Sequence, residues 1–333
     1  MIELFTSPLI LGLVLLGTAL GITVGAIPGM TGTMLIALTL PMTFSMEPVS
    51  ALVLLVAMYV GAVSGGLISA TLLRMPGTPA AVMTTLDGYP MARAGQPGRA
   101  LGLGIGASLF GGVISWFALW QLAEPMADWS TKLGPFDIFS LVVLALALLA
   151  GVGESTRARG LLAGGLGVLV AMPGMHPATG ELRWTLGVTS MNEGFRLIPV
   201  LIGMFAIGKI LDDLTSDEGK METASGDDSP FIPLSTWRHQ IGNLLRSSGI
   251  GTLIGVLPGA GANIGSLAAY ATAKRASDQP EKFGKGSEQG IVASESANNA
   301  TVGGALIPLI ALGVPGSVIG AVLLGALIVH GLQ

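Results

Sequence analysis

Residues 25–32 read Gly-Ala-Ile-Pro-Gly-Met-Thr-Gly, and 230 positions later residues 255–262 read Gly-Val-Leu-Pro-Gly-Ala-Gly-Ala. A second pair follows in the same order. Gly65-Gly66 precedes Pro76-Gly77-Thr78, and Gly303-Gly304 precedes Pro315-Gly316-Ser317, at an offset of 238 or 239. Two motifs recurring in order mark an internal repeat.

The surroundings of these motifs set the class. Of 333 residues, 51% are hydrophobic and only 11% charged, too few charges to coat a water-soluble exterior. No Asp, Glu, Lys or Arg occurs at 4–46, 48–73, 100–123, 138–153, 160–180, 247–273 or 296–333. A bilayer core of about 30 Å takes roughly 20 helical residues, so the runs 4–46 and 296–333 must fold back within the membrane. Pro28-Gly29 and Pro315-Gly316 mark those folds. The expectation is an all-α polytopic membrane protein with inverted repeats and Pro/Gly-broken or re-entrant helices.

Expected spans lie near 8–27, 30–44, 49–73, 100–122, 136–152, 158–175, 195–211, 247–257, 259–273 and 291–312, with broken pieces near 76–86 and 317–333. With Glu3 and no basic residue before Arg74, the first span reads as a retained helix rather than a cleaved signal. Residues 209–246 hold 11 of the 36 charges and read as a hydrophilic linker with room for a short surface helix around Trp237. The chain thus divides into 1–208, a first repeat with connecting helices; the linker 209–246; and 247–333, the beginning of a second repeat.

Basic residues set the expected orientation. Arg93 and Arg99, Arg157 and Arg159, and Lys274 to Lys285 fall in alternate loops, which places those loops in the cytoplasm and 44–48, 123–135 and 176–194 outside. The loop after the first Pro-Gly helix is then outside and its counterpart inside, so the repeats are inverted. Inverted repeats with broken helices in matching positions point to a secondary transporter whose site lies near the midplane. A broken helix exposes N–H groups that favour an anion, and freed carbonyls suit a cation.

Several other features narrow the function. Net charge of −4 offers no basic surface for nucleic acid, and the lack of cysteine removes thiolate zinc sites and Cys nucleophiles. No phosphate loop, Gly-x-Ser-x-Gly elbow or His-Glu-x-x-His occurs, and His176, His239 and His330 stand far apart. The alternatives to a transporter are an ion channel and an intramembrane hydrolase built on Ser64 or Ser317. Asn298-Asn299 is a polar pair in an apolar run, suited to carboxylate oxygen or a cation shell, or to binding helices together. Glu295 before it suits a charge-coupling carboxylate or a surface position equally. Arg74 reads as a snorkelling anchor, Asp87-Gly88-Tyr89-Pro90 as a turn, and Gly21/Gly25 and Gly102/Gly106 as packing faces.

The chain resembles the large membrane subunit of the tripartite tricarboxylate transporters. The resemblance rests on Gly25–Gly32, the block Met75–Leu101, Gly255–Gly265, Glu295–Ala300, Ala305–Pro308 and Gly313–Ser317. It implies a permease, not an enzyme, that works in the bacterial inner membrane with a small membrane subunit and a periplasmic solute-binding protein. The implied solute is citrate or a related carboxylate, and the implied driving force a Na+ or H+ gradient. Family chains run several helices further, so this sequence is expected to stop within the second repeat. The substrate-binding candidates are Pro28, Gly29, Gly32, Gly77, Thr78, Gly259, Gly261, Asn263, Asn298, Asn299, Gly316 and Ser317.

Overall fold

Proline and glycine decide where the helices stop. The computed structural model describes residues 7–130, 157–175, 181–192, 228–257 and 261–332, with isolated positions between 132 and 211. The spans expected at 136–152 and 195–211 fall largely outside the described residues, as does the Pro258-Gly259 turn. Helix α1 (Pro8–Ala26) ends where Pro28 forces Ile27 into extended backbone and Gly29 takes a φ of 86°. Helix α2 (Gly32–Thr39) restarts the chain, its first turn capped by Thr31, which accepts the Met34 N–H at 3.1 Å. A 3-10 segment (Leu40–Ser45) leads to helix α3 (Pro48–Leu72). Glu47 caps α3 by accepting the Ser50 N–H at 3.0 Å. That bond and the Val49 N–H hold the Glu47 carboxyl below its ordinary range.

After α3 the chain breaks again at 73–78, makes a 3-10 turn (Pro79–Ala81), and forms helix α4 (Val82–Arg93) and the long helix α5 (Pro97–Ser130). Helix α6 (Arg157–Ala171) and a minimal hairpin, β1 (Gly174–Met175) with β2 (Leu182–Arg183), follow. The second copy comprises helices α7 (Leu234–Val256), α8 (Gly261–Ala276), α9 (Glu288–Leu312) and α10 (Val318–Val329). The chain is an all-α polytopic membrane protein. Among the described residues three helices, α1, α3 and α5, are long and apolar enough to cross a bilayer, with mean hydropathy of 2.3, 2.2 and 1.6.

The centre is α9. Every residue from Gly290 to Leu309 is buried although the helix carries Ser, Glu, Asn and Thr. Its small residues let α5, α7 and α8 come close, and α3, α4 and α10 pack on it as well. A core of Ile36, Leu55, Met58, Leu306 and Leu323 spans α2, α3, α9 and α10, so both copies share one interior.

The two copies are held together internally by equivalent contacts. A Cβ added at Gly21 or Gly25 of α1 would collide with the carbonyls of Met58 or Ala62 on α3. A Cβ at Gly251 or Gly255 of α7 would collide with the carbonyls of Ala297 or Thr301 on α9, each 239 positions after its counterpart. Likewise Gly77 lies on the Gly25 carbonyl and beside Gly66, while Gly316 lies on the Gly255 carbonyl and beside Ala305.

Two local expectations change, and a third gains its packing partners. Asp87-Gly88-Tyr89-Pro90 is inside α4 rather than a turn. Residues 234–246 of the expected linker are helical, and the preceding strap is docked: Asp228 accepts the N–H groups of Gly98 at 2.6 Å and Arg99 at 2.7 Å. Gly102 and Gly106 pack, but against the Pro230 carbonyl and the Trp237 ring of that strap and helix. Arg74 is exposed with φ 57°, its guanidinium 5.7 Å from the Tyr89 ring centre.

Candidate functional site

A chain of polar side chains runs through the middle of the bundle. Ser64 on α3 donates to Asn299 Oδ1 at 2.8 Å, and Asn299 Nδ2 donates to Ser108 on α5 at 2.7 Å and to the Glu295 carbonyl at 3.2 Å. Ser108 in turn donates to Glu295 Oε2 at 3.3 Å, and Thr84 on α4 bonds to Glu295 Oε1. Four helices, α3, α4, α5 and α9, therefore each supply a group. Glu295 is fully buried, which removes the surface position and leaves an interior carboxyl. Asn298 Nδ2 reaches Glu295 Oε2 only at 3.5 Å, and Asn298 Oδ1 is buried without a partner. Buried polar atoms are normally satisfied, so an orphan oxygen here marks a place for something else to bind.

Ser64, Ser108, Ser115 and Asn299 are the polar side chains lining a half-open cavity of about 580 Å³, whose lining is otherwise mostly apolar and includes Ile22, Val60, Leu67, Ile105 and Trp116. That volume falls in the range of small-molecule sites.

The Pro-Gly elements among the described residues do not line the cavity. Pro28 and Gly29 sit in the α1–α2 break, half-buried, and Gly32 is buried against Ala62 and Ile319. Gly77 is buried; Thr78 lies over Gly66 with its Oγ1 buried and unpartnered. Gly316 is buried, and Ser317 caps α10 through the Gly320 N–H at 3.0 Å while meeting the Tyr59 hydroxyl at 3.3 Å. Gly261 has φ 66° and open space around it, and Asn263 is exposed. Gly259 lies outside the described residues. The structure thus brings Asn298 and Asn299 together with Glu295, and Ser317 to the other copy through Tyr59. Ser64, Ser108 and Thr84 are members of the cluster that sequence reading misses as binding groups, since single hydroxyls in apolar helices give no local signal.

Asp87 builds a second buried centre. Its Oδ1 accepts the N–H groups of Gly284, Lys285, Gly286 and Ser287 at 2.7–3.1 Å, and its Oδ2 accepts the Tyr270 hydroxyl at 2.8 Å. Positive φ at Gly284 and Gly286 aims those N–H groups inward, an anion nest that the chain fills with its own carboxylate. His239 and His330 stay outside both centres, His239 bonding to the Ser235 carbonyl at 2.8 Å and His330 to Thr43 at 3.0 Å; His176 lies outside the described residues. Among the described residues no three of His, Asp and Glu gather as metal ligands.

Residues 11–333 match the Tripartite tricarboxylate transporter TctA family. The chain belongs to that family. It is a family of transporters, not of enzymes, and the hydrolase alternative falls with it. The chain is 34% identical, over 318 residues, to an uncharacterized 52.8 kDa protein of the TAR-I ttuC' 3' region of Agrobacterium vitis, covering 95% of this chain and 63% of that one. It is 43% identical over 82 residues to an uncharacterized protein of the TAR-II ttuC' 3' region of the same organism, covering 25% of this chain and 34% of the other. The chain therefore spans a little under two thirds of the length of the first of these relatives. No solved structure matches it.

Proposed function

We propose that the chain is the permease subunit of a system that takes up citrate or a related di- or tricarboxylate across the bacterial inner membrane, driven by a Na+ or H+ gradient. A small membrane subunit and a periplasmic solute-binding protein are its partners in this reading. Family membership supports the tricarboxylate class.

The observation that carries the reading is reciprocity between the copies. Helix α2, which follows the first break of copy one, packs on α10, which follows the second break of copy two. The 79–81 turn after the second break of copy one packs on α8, which follows the first break of copy two. Element a meeting b′ while b meets a′ is the signature of a two-fold relation. With the orientation expected from basic residues, that axis lies in the membrane plane, the arrangement of inverted-repeat secondary transporters. In this reading Asn299, Ser64 and Ser108 meet the solute in the cavity, and Thr78, Ser317 and the Pro-Gly tips shift against one bundle as access alternates.

The test is reconstitution of the complete complex in liposomes with labelled citrate and separately imposed Na+ and pH gradients. Accumulation that requires a gradient and the binding protein supports the reading. Solute-independent ion current would favour a channel.

A further inference from the structure

We propose that Glu295 carries the coupling charge: its carboxylate binds one monovalent cation, a proton or an alkali-metal ion, in an oxygen cradle completed by Thr84, Ser108 and Asn298. The inference rests on the cation-driven reading above and names the group that performs the coupling.

The two buried carboxylates among the described residues provide the contrast. Asp87 is stabilised by four backbone N–H groups and a phenol, enough donors to hold a full negative charge away from water. Glu295 lies in the middle of a helix whose backbone N–H groups are already used. Its partners are neutral side chains, Thr84, Ser108 at 3.3 Å and Asn298 at 3.5 Å, and none of them is a cation. A desolvated carboxylate so poorly solvated costs several kcal/mol, and the missing stabilisation is a positive charge.

The packed elements do not supply one. On α4 and α8, Asp87 and Tyr270 are bonded to each other and to the 284–287 turn. On α5, Arg99 is paired with Glu288 of α9 at 2.6 Å; on α7, Arg246 bonds to Asn243 at 2.9 Å, and Arg238 and His239 are exposed near the start of the helix. Arg93, Lys274 and Arg275 stand in the last turns of α4 and α8. Helix α3 contributes Tyr59, bonded to Ser317, and α10 no charge.

A second observation points the same way. Asn298 Oδ1, one helical turn from Glu295, is a fully buried acceptor with no donor. An amide oxygen without a donor beside an under-satisfied carboxylate is what a bound cation requires, and hydroxyl oxygens at Thr84 and Ser108 complete a hard-ligand set. One carboxylate neutralises one charge, so a divalent ion would leave net charge in the membrane interior; a monovalent cation does not.

Ser108 connects this cradle to the cavity, because it donates to Glu295 and accepts from Asn299. A solute that takes the Asn299 amide changes the hydrogen-bonding of Ser108 and hence the cation's cradle. Reciprocally, an occupied cradle reorients Asn299 for the solute, which is coupling in the thermodynamic sense.

The test uses the complete complex in liposomes and separates exchange of labelled for unlabelled citrate from gradient-driven accumulation. Glu295→Gln is expected to lose gradient-driven accumulation by tenfold or more, and the exchange it retains should no longer respond to Na+ or pH, as wild-type exchange does. Loss confined to the pH-gradient arm identifies the proton, and loss in the Na+ arm the alkali-metal ion. Glu295→Asp should restore accumulation in part with a tenfold weaker apparent ion affinity. Accumulation intact in Glu295→Gln, or exchange that keeps the wild-type dependence on Na+ or pH, overturns the proposal. Wild-type complex that takes up no carboxylate would instead overturn the functional reading. Should Glu295→Gln fail to assemble, an apolar carbodiimide on wild type decides: Glu295 modification read by mass spectrometry should fall as pH rises or as Na+ is added. No modification, or modification indifferent to both, also overturns it.

Discussion

Asp87 Oδ1 accepts the backbone N–H of Ser287 at 2.7 Å across 200 positions of sequence, tying the helix that follows one Pro-Gly break to the start of the central helix α9. Ser287 is itself the cap of α9, accepting the Gly290 N–H at 3.2 Å, so one carboxylate fixes where the central helix begins. Removing it with Asp87→Ala leaves a collapsed anion nest and is expected to cost about 3 kcal/mol, whereas Asp87→Asn keeps an acceptor oxygen and should cost roughly half as much. Thermal unfolding in detergent followed by size-exclusion chromatography measures both. Equal stability of Asp87→Ala and wild type would mean that the nest does not hold the fold.

The breaks were legible because their causes are local. Proline at 28 forces its predecessor out of the helix and Gly29 tolerates the left-handed turn, whatever surrounds them. Asp87 was misread, and Glu295 left open between an interior and a surface position, because their surroundings are not local. Asp-Gly-Tyr-Pro has turn chemistry in isolation, but the donors that claim the Asp87 side chain come from 284–287, so the backbone is left free to stay helical. Glu295 follows a charged stretch in sequence, which suited a surface position as well as an interior one, yet it is fully buried with Thr84 of α4 and Ser108 of α5 bonded to it. The repeat was legible as spacing; that its copies interlock was not, since spacing carries no information about which break faces which.

The adjacent asparagines should behave differently. Asn299 makes three bonds, and Asn299→Leu leaves Ser64 and Ser108 without them, an expected loss of about 1–3 kcal/mol in stability together with uptake. Asn298 makes one long contact and carries an unpartnered oxygen, so Asn298→Leu should leave the melting temperature within a few degrees of wild type while abolishing uptake. If Asn298→Leu transports normally, it belongs to neither the solute site nor the cation cradle.

Orientation can be read directly in a chain without cysteine. Ser45→Cys and Lys282→Cys, both exposed, should react with a membrane-impermeant maleimide from opposite sides, Ser45 from the periplasm and Lys282 from the cytoplasm. Labelling of both from one side would make the two copies parallel and end the inverted-repeat reading.

Glu47 gives a pH dependence of defined sign. Its carboxyl titrates below the ordinary value of 4.5 because the Ser50 and Val49 N–H groups favour the anion. The cap's contribution is therefore fully present above that value and fades as pH falls through the lowered one. Glu47→Gln should show a slightly lower melting temperature at pH 7 and a flatter decline below pH 4.5 than wild type. Parallel acid profiles for the two proteins would exclude the cap as a contributor.

Glycine substitutions distinguish paired contacts from idle ones by the sign of their effect. Alanine is normally the better helix residue by up to about 1 kcal/mol, so Gly12→Ala and Gly242→Ala, where a Cβ meets nothing within 4 Å, should be neutral or stabilising. At Gly25 and Gly255 the added Cβ meets a backbone carbonyl of the facing helix, Ala62 or Thr301, which has no rotamer with which to yield. Gly25→Ala and Gly255→Ala must separate α1 from α3 or α7 from α9, at an expected 1–3 kcal/mol each. Each also displaces a tip, because Gly77 rests on the Gly25 carbonyl and Gly316 on the Gly255 carbonyl. Uptake should therefore fall more steeply than stability in both variants, and by similar factors, since the two positions hold equivalent places in the repeat. Tolerance at Gly255 with damage at Gly25 would show that the copies are alike in contact but not in work.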